Sequence, residues 1–148
     1  LAKVERLVGD AVEQGAQVLA GGKSVTGRFF PATVLTGITP DMACFREEVF
    51  GPVVPITVFD TEAEAITLAN DTPYGLAAYF YTRDLARSWR VGEALAFGMV
   101  GLNTGLISTA AAPFGGVKES GIGREGSRHA LEEFTEMKYL AMAGLETR

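Results

Sequence analysis

Leu1, Val4, Leu7, Val8, Ala11 and Val12 recur at helical spacing, with Lys3, Glu5, Arg6 and Asp10 between them. This predicts an amphipathic helix over residues 1–14, closed by Gly15. A short strand over residues 17–20 is expected next, then a turn at Gly21-Gly22. The β-rich stretch 29–35 surrounds Pro31, which suits an edge or interrupted strand. From Val53 onward the pattern becomes regular. Residues 53–59 are β-branched and apolar, and Thr61 and Glu64 then stand at the spacing of a capping box. Ala63, Ile66, Leu68 and Ala69 are expected on the buried side of the helix that follows. Asn70-Asp71-Thr72-Pro73-Tyr74-Gly75 breaks it, since each of these residue types favours turns or ends helices. A strand over 76–81, a helix from an Asp84 cap to about residue 96, and a strand over 98–103 complete a strand–helix–strand–helix–strand order. That order predicts an α/β fold, a parallel sheet with alternating helices and right-handed crossovers. Beyond it, residues 126–133 read as helical and residues 136–142 as a last strand.

Residues 94–117 carry no charge, which raises the possibility of a membrane span. Gly98, Gly101, Gly105, Gly115, Gly116, Pro113, Asn103, Thr104, Ser108 and Thr109 oppose it, because a spanning helix needs predominantly apolar side chains. A buried strand running into a polar-lined loop is the preferred reading.

Composition narrows the classes. The 148 residues are 47% hydrophobic and 21% charged, the balance of an ordinary folded domain rather than a disordered chain. A net charge of −5 without a Lys/Arg run argues against nucleic acid and anionic membrane as partners. One cysteine and one histidine make neither an internal disulfide nor a four-ligand zinc site, and no metal site is expected. Glycine is the outlier at 18 residues, half of them between positions 92 and 126, which marks tight geometry with exposed backbone. The chain starts at Leu1 inside a helical pattern with no signal-peptide arrangement, so a longer parent is expected, in the cytoplasm.

Four places could carry chemistry. Residues 121–126 spell the dinucleotide fingerprint G-x-G-x-x-G, but that motif works after a strand and at the head of a βαβ unit. Only 22 residues follow Gly126, too few for such a unit, so the match is rejected. Arg46–Pro52 places an acidic pair, an aromatic ring and a Gly-Pro turn together. This is either a carboxylate for ligand hydroxyls beside a ring for a flat ligand, or a solvated turn above a core Phe, and composition leaves both open. The stretch 103–126 is a long glycine-rich loop, and such loops inside compact domains are usually functional. Cys44 has only Arg46 nearby to lower its pKa, so it reads as a small buried residue, and His129 reads as a surface histidine.

Taken together, Arg46–Pro52 (REEVFGP), Asn70–Ala77 (NDTPYGLA), Gly101–Gly105 (GLNTG) and Pro113–Glu125 (PFGGVKESGIGRE), in this order and spacing, resemble the C-terminal part of the aldehyde dehydrogenase superfamily. Leu102–Ser108 (LNTGLIS) followed by APFGGVKESGIGREGS is most similar to the branch that oxidises succinate semialdehyde. The resemblance implies NAD or NADP as cofactor, a small aldehyde as substrate and a homo-oligomeric parent, dimer or tetramer. It divides the chain into a partial catalytic domain over 1–135 and an oligomerisation strand and tail over 136–148.

Residue by residue, it implies that Glu48 hydrogen-bonds the nicotinamide ribose and Phe50 packs near the nicotinamide ring. Phe114 would line the aldehyde entry, Ser108 would help hold the distal carboxylate, and Glu125 would stand in a proton-relay path. The family's nucleophilic cysteine, base glutamate, oxyanion asparagine and cofactor domain would all lie upstream, so no catalytic residue other than Glu125 is expected here. The fragment alone is then expected to be inactive. Two further readings stay open: a dehydrogenase for another small or ω-carboxylated aldehyde, and a non-catalytic dimerising module.

Overall fold

The computed structural model describes residues 1–145, which form two compact units, Leu1–Ala69 and the residues from Asn70 onward. In the first unit, helix α1 (Ala2–Glu13) follows the predicted helical spacing and buries Val4, Leu7, Val8 and Ala11. Strands β1 (Gln17–Ala20) and β2 (Thr33–Thr36) pair antiparallel, with a register shift between Val18 and Ala20. β3 (Val53–Ile56) then lies parallel to β2, so the order is β1-β2-β3. The β2–β3 connection carries a single helical turn, α2 (Ala43–Arg46). Asp10, on the polar side of α1, accepts a hydrogen bond from the Ala43 amide at 2.8 Å and so satisfies a donor that a four-residue helix cannot pair itself. The core joins the α1 face to Ala16, Leu35, Ile38, Met42, Cys44 and Val53.

Helix α3 (Glu62–Asn70) begins as its capping box predicts. The Glu64 amide donates to Thr61 Oγ1 at 3.2 Å, and the Glu64 carboxylate accepts from the Asp60 amide at 2.9 Å. Its expected buried side is not realised: Ile66 and Leu68 are half-buried, and Ala63 and Ala69 are exposed. Periodicity names the apolar face of a helix, but only a covering layer buries it.

In the second unit, β4 (Ala77–Phe80) and β5 (Met99–Leu102) form a parallel pair joined through helix α4 (Leu85–Ala94). The parallel strands with helical crossovers are those the sequence predicts, although they fall into two sheets, β1-β2-β3 and β4-β5, rather than one. Gly98, which opens β5, has the Gly115 carbonyl where a side chain would begin, so the glycine-rich loop lies directly on the strand. After β5 the described residues are irregular except for two 3₁₀ segments, Lys118–Ser120 and Arg128–Phe134. The second replaces the helix expected over 126–133. Residues 136–142 form no strand among the described residues, and Met137, Tyr139, Leu140 and Met142 are exposed. A strand exists only as part of a ladder, and the described residues offer this one no neighbour. Among the described residues no helix is long and apolar enough to cross a membrane.

Candidate functional site

In the first unit the acidic pair separates by partner. Arg6 Nη2 reaches Glu47 Oε2 at 2.6 Å and holds that carboxyl below its usual range, chiefly through this hydrogen bond. Glu48 is exposed: Lys3 Nζ donates to its backbone carbonyl, and its carboxylate has no partner among the described residues. Two residues on, Phe50 is 88% exposed and its backbone lies in the left-handed region at φ 44°. A large aromatic ring held in water by a backbone conformation that L-residues rarely adopt is disfavoured twice over, by apolar exposure and by strain. Both side chains stand exposed, one able to accept hydrogen bonds and the other to pack on a flat face.

In the second unit, β5 is followed by Asn103, whose φ of 55° turns the chain out of the sheet. Its side-chain amide donates to the Thr82 carbonyl at 2.8 Å and accepts from the Thr82 amide at 2.9 Å, extending the β4–β5 pairing by one rung. The loop that follows carries Ser108, exposed, and is held further on by the Ser127 amide, which donates to the Ala110 carbonyl at 2.9 Å. Ser127 can do so because its own backbone takes φ 52° while its hydroxyl caps the Arg128–Phe134 turn through the His129 amide.

Phe114 and Glu125 come together across an isolated antiparallel bridge. Phe114 is half-buried and Glu125 exposed, and both line a cleft of roughly 360 Å³ with Leu76, Ile122, Arg124 and Phe134. The tip of the loop between them is fastened to the turn after α3. Lys118 Nζ donates to the carbonyls of Asn70 at 3.2 Å and Thr72 at 3.1 Å and stands 5.5 Å over the Phe97 ring. Ser120 Oγ accepts from the Gly75 amide at 2.9 Å. Neither Lys118 nor Arg124 stands out by spacing. The available signal is that they are the two cations of a glycine-rich loop whose other charged residues are Glu119 and Glu125.

The remaining motifs settle as ordinary structure. Residues 121–126 follow a 3₁₀ turn and no strand, so the dinucleotide fingerprint has none of its required context. Cys44 is 4% exposed and burial pushes its thiol pKa up, the opposite of what a nucleophile needs. His129 is half-buried, with Nδ1 3.2 Å from Glu132 Oε1.

The model of the aldehyde dehydrogenase family matches residues 1–140. The chain is 53% identical to the mitochondrial succinate-semialdehyde dehydrogenase of Oryza sativa subsp. japonica, over 97% of its own length and 28% of that protein's. It is 52% identical to a glutarate-semialdehyde dehydrogenase of Pseudomonas putida, over 97% of its length and 30% of that protein's. A crystal structure of succinate-semialdehyde dehydrogenase from Burkholderia pseudomallei superposes with a TM-score of 0.91 at 55% identity, over 94% of this chain and 29% of that one. The chain thus spans less than a third of the length of the relatives it matches. With the parallel β4–β5 pair, the glycine-rich loop and a family match over nearly every residue, the chain belongs to the aldehyde dehydrogenase family.

Proposed function

We propose that this chain is the C-terminal part of an enzyme that oxidises succinate semialdehyde to succinate with NAD or NADP. The observation that carries the reading is the similarity, across almost the whole chain, to relatives named for succinate and glutarate semialdehydes. The residues present suit it. Glu48 accepts hydrogen bonds from the ribose hydroxyls and Phe50 packs beside the nicotinamide, which explains an exposed ring on a strained backbone. When bound, the dinucleotide supplies a hydride acceptor. Phe114 lines the aldehyde entry, Ser108 donates to the distal carboxylate, and Glu125 passes a proton toward solvent. The thiolate that attacks the aldehyde comes from a part of the parent outside this chain, because Cys44 is buried with its pKa raised.

Ser108→Ala in the full-length parent tests the substrate class. Loss of a hydrogen bond to a carboxylate should raise KM for succinate semialdehyde about tenfold and leave KM for a neutral aldehyde of similar length within about twofold. Equal effects on both would remove Ser108 from carboxylate recognition. Glutarate semialdehyde is the second reading, favoured by the Pseudomonas putida relative, and the ratio of kcat/KM for the two semialdehydes decides between them. The 148 residues alone should form no NAD(P)H from either.

The exposed apolar run Met137, Tyr139, Leu140 and Met142 supports a homo-oligomeric parent, in which a partner strand covers it. Light scattering with and without residues 136–148 tests this and also separates the dimerising-module reading. The cytoplasm is the proposed compartment, where a lone thiol such as Cys44 stays reduced; cell fractionation checks it.

A further inference from the structure

The loop from Phe114 to Glu125 contains four glycines and only one short 3₁₀ turn, so little in its own sequence orders it. Fixing each residue costs about 1–2 kcal/mol of backbone entropy, and more for glycine, so definite contacts must hold the two arms of this loop in place. The tip is held by Lys118 and Ser120, and the base by the Phe114–Glu125 bridge. Between tip and base run two arms, Gly115-Gly116 on one side and Gly121–Arg124 on the other, and one side chain ties them together. Arg124 Nη1 donates to the Gly116 carbonyl at 2.7 Å and to the Gly123 carbonyl at 2.7 Å. Both bonds are charge-assisted and partly buried, which places them among the stronger hydrogen bonds of a protein.

The fit around this clamp is close. A side chain on Gly115 would begin 2.9 Å from Arg124 Cδ, so the arginine stem occupies the space that a residue at 115 would fill. The Arg124 amide donates to Glu133 Oε1 at 3.2 Å, which fastens the same residue to the Arg128–Phe134 turn. Phe114 is the direct neighbour of Gly115 in one clamped arm, and Glu125 is the direct neighbour of Arg124 in the other. The direction of the Phe114 ring therefore depends on where the guanidinium holds the two arms.

We propose that Arg124 is a positioning residue: by clamping the carbonyls of Gly116 and Gly123 it fixes Phe114 and sets which aldehydes the passage admits. This rests on the reading of Phe114 as a lining residue and adds to it the group that holds Phe114 in place. Although Arg124 lines the same cleft, in this role it acts through Phe114 and not by contact with the substrate. Both bonds leave the one nitrogen Nη1, so lysine has donors enough, but its stem is one bond shorter than the path to Nη1 and its ammonium lacks the fixed plane that aims the two N–H groups, so it replaces arginine only in part.

The test uses the full-length parent, steady-state kinetics with succinate semialdehyde and with a bulkier aromatic aldehyde, and four variants: Arg124→Met, Arg124→Lys, Phe114→Ala and the Arg124→Met/Phe114→Ala double. Arg124→Met should raise KM for succinate semialdehyde about fivefold and change kcat less than about twofold, with a smaller rise for Arg124→Lys. The aromatic aldehyde should lose less, narrowing the preference. Millimolar guanidinium ion should restore most of the KM of Arg124→Met and leave Phe114→Ala unrescued, an outcome that general loosening of the fold would not give. The double variant should be no worse than the worse single one, because both act through the same ring. If Phe114→Ala raises KM and neither Arg124 variant does, the positioning role is overturned while the reading of Phe114 stands. If Phe114→Ala itself leaves KM unchanged, that reading falls and the proposal with it. Should Arg124→Met fail to fold, Arg124→Lys decides alone: a rise of about twofold or more supports the clamp, and an unchanged KM overturns it.

Discussion

Phe114 and Glu125 exchange both of their backbone hydrogen bonds, the Phe114 amide donating to the Glu125 carbonyl at 2.8 Å and the Glu125 amide to the Phe114 carbonyl at 2.7 Å. The pair closes the glycine-rich loop at its base through main-chain atoms alone, so the Glu125 side chain is free of any structural duty there. Glu125→Gln should leave stability within about 0.5 kcal/mol, as an exposed polar exchange does, and any loss of rate in the parent then reports the carboxylate. Glu125→Pro, which deletes the donor, should cost about 1–2 kcal/mol. Urea melts of both variants, set beside kcat, separate the two roles.

Phe50 places strain and apolar exposure at one residue. Phe50→Gly relieves the positive φ and removes an exposed ring, so the chain should become more stable by about 0.5–1 kcal/mol. If Phe50 packs on the nicotinamide as proposed, the parent should bind the dinucleotide more weakly once the ring is gone. Chemical denaturation of the chain and fluorescence titration of NADH or NADPH into the parent read the two effects. A Phe50→Gly chain that is less stable would show that the conformation is not strained.

Asp84 caps α4 through the Arg87 amide, 2.9 Å from Oδ1, and this hydrogen bond is the largest reason its carboxyl titrates below the usual range. A carboxyl whose pKa is lower folded than unfolded binds its proton more weakly in the native state. Its contribution is therefore complete above the unfolded value and fades as pH falls through the folded one. Asp84→Ala should lower the melting midpoint at pH 7 and lose that difference near pH 2, while Asp84→Ser, also a good cap, should retain most of it. Thermal melts followed by circular dichroism between pH 7 and pH 2 check both. A deficit in Asp84→Ala that is the same at every pH would mean that the carboxylate charge plays no part.

Local chemistry was legible in the sequence wherever a few adjacent residues decide the outcome. Thr61 with Glu64 and Asp84 before α4 form the caps that their spacing predicts, and the buried face of α1 is the one its periodicity names. Contacts between distant segments were not legible. Asn103 pairs with Thr82, Lys118 with the turn after α3, and Arg124 with Gly116, at separations where spacing carries no signal. The apolar side of α3 and the strand-like run 136–142 mark a different limit. Their pattern shows what could be buried or paired, and whether it is depends on surfaces beyond the segment itself. Of the proposed site residues, Phe114 and Glu125 lie in family motifs, whereas their mutual pairing and the Arg124 hydrogen bonds to the Gly116 and Gly123 carbonyls are contacts that no motif marks.

Cys44 offers a direct check that catalysis lies elsewhere. It sits in the core against the α1 face, 4% exposed, and burial is the main cause of its raised pKa. A thiol of this kind is mostly protonated at neutral pH and reacts slowly. Cys44→Ala should therefore leave kcat and KM of the parent within about twofold while costing about 1 kcal/mol of stability for the lost sulfur packing. Labelling of the native 148-residue chain with a maleimide should be slow, and should accelerate to the rate of a free thiol once urea unfolds it. Loss of turnover in Cys44→Ala with stability intact would return this cysteine to the list of candidate nucleophiles and overturn the placement of the reacting thiolate outside the chain.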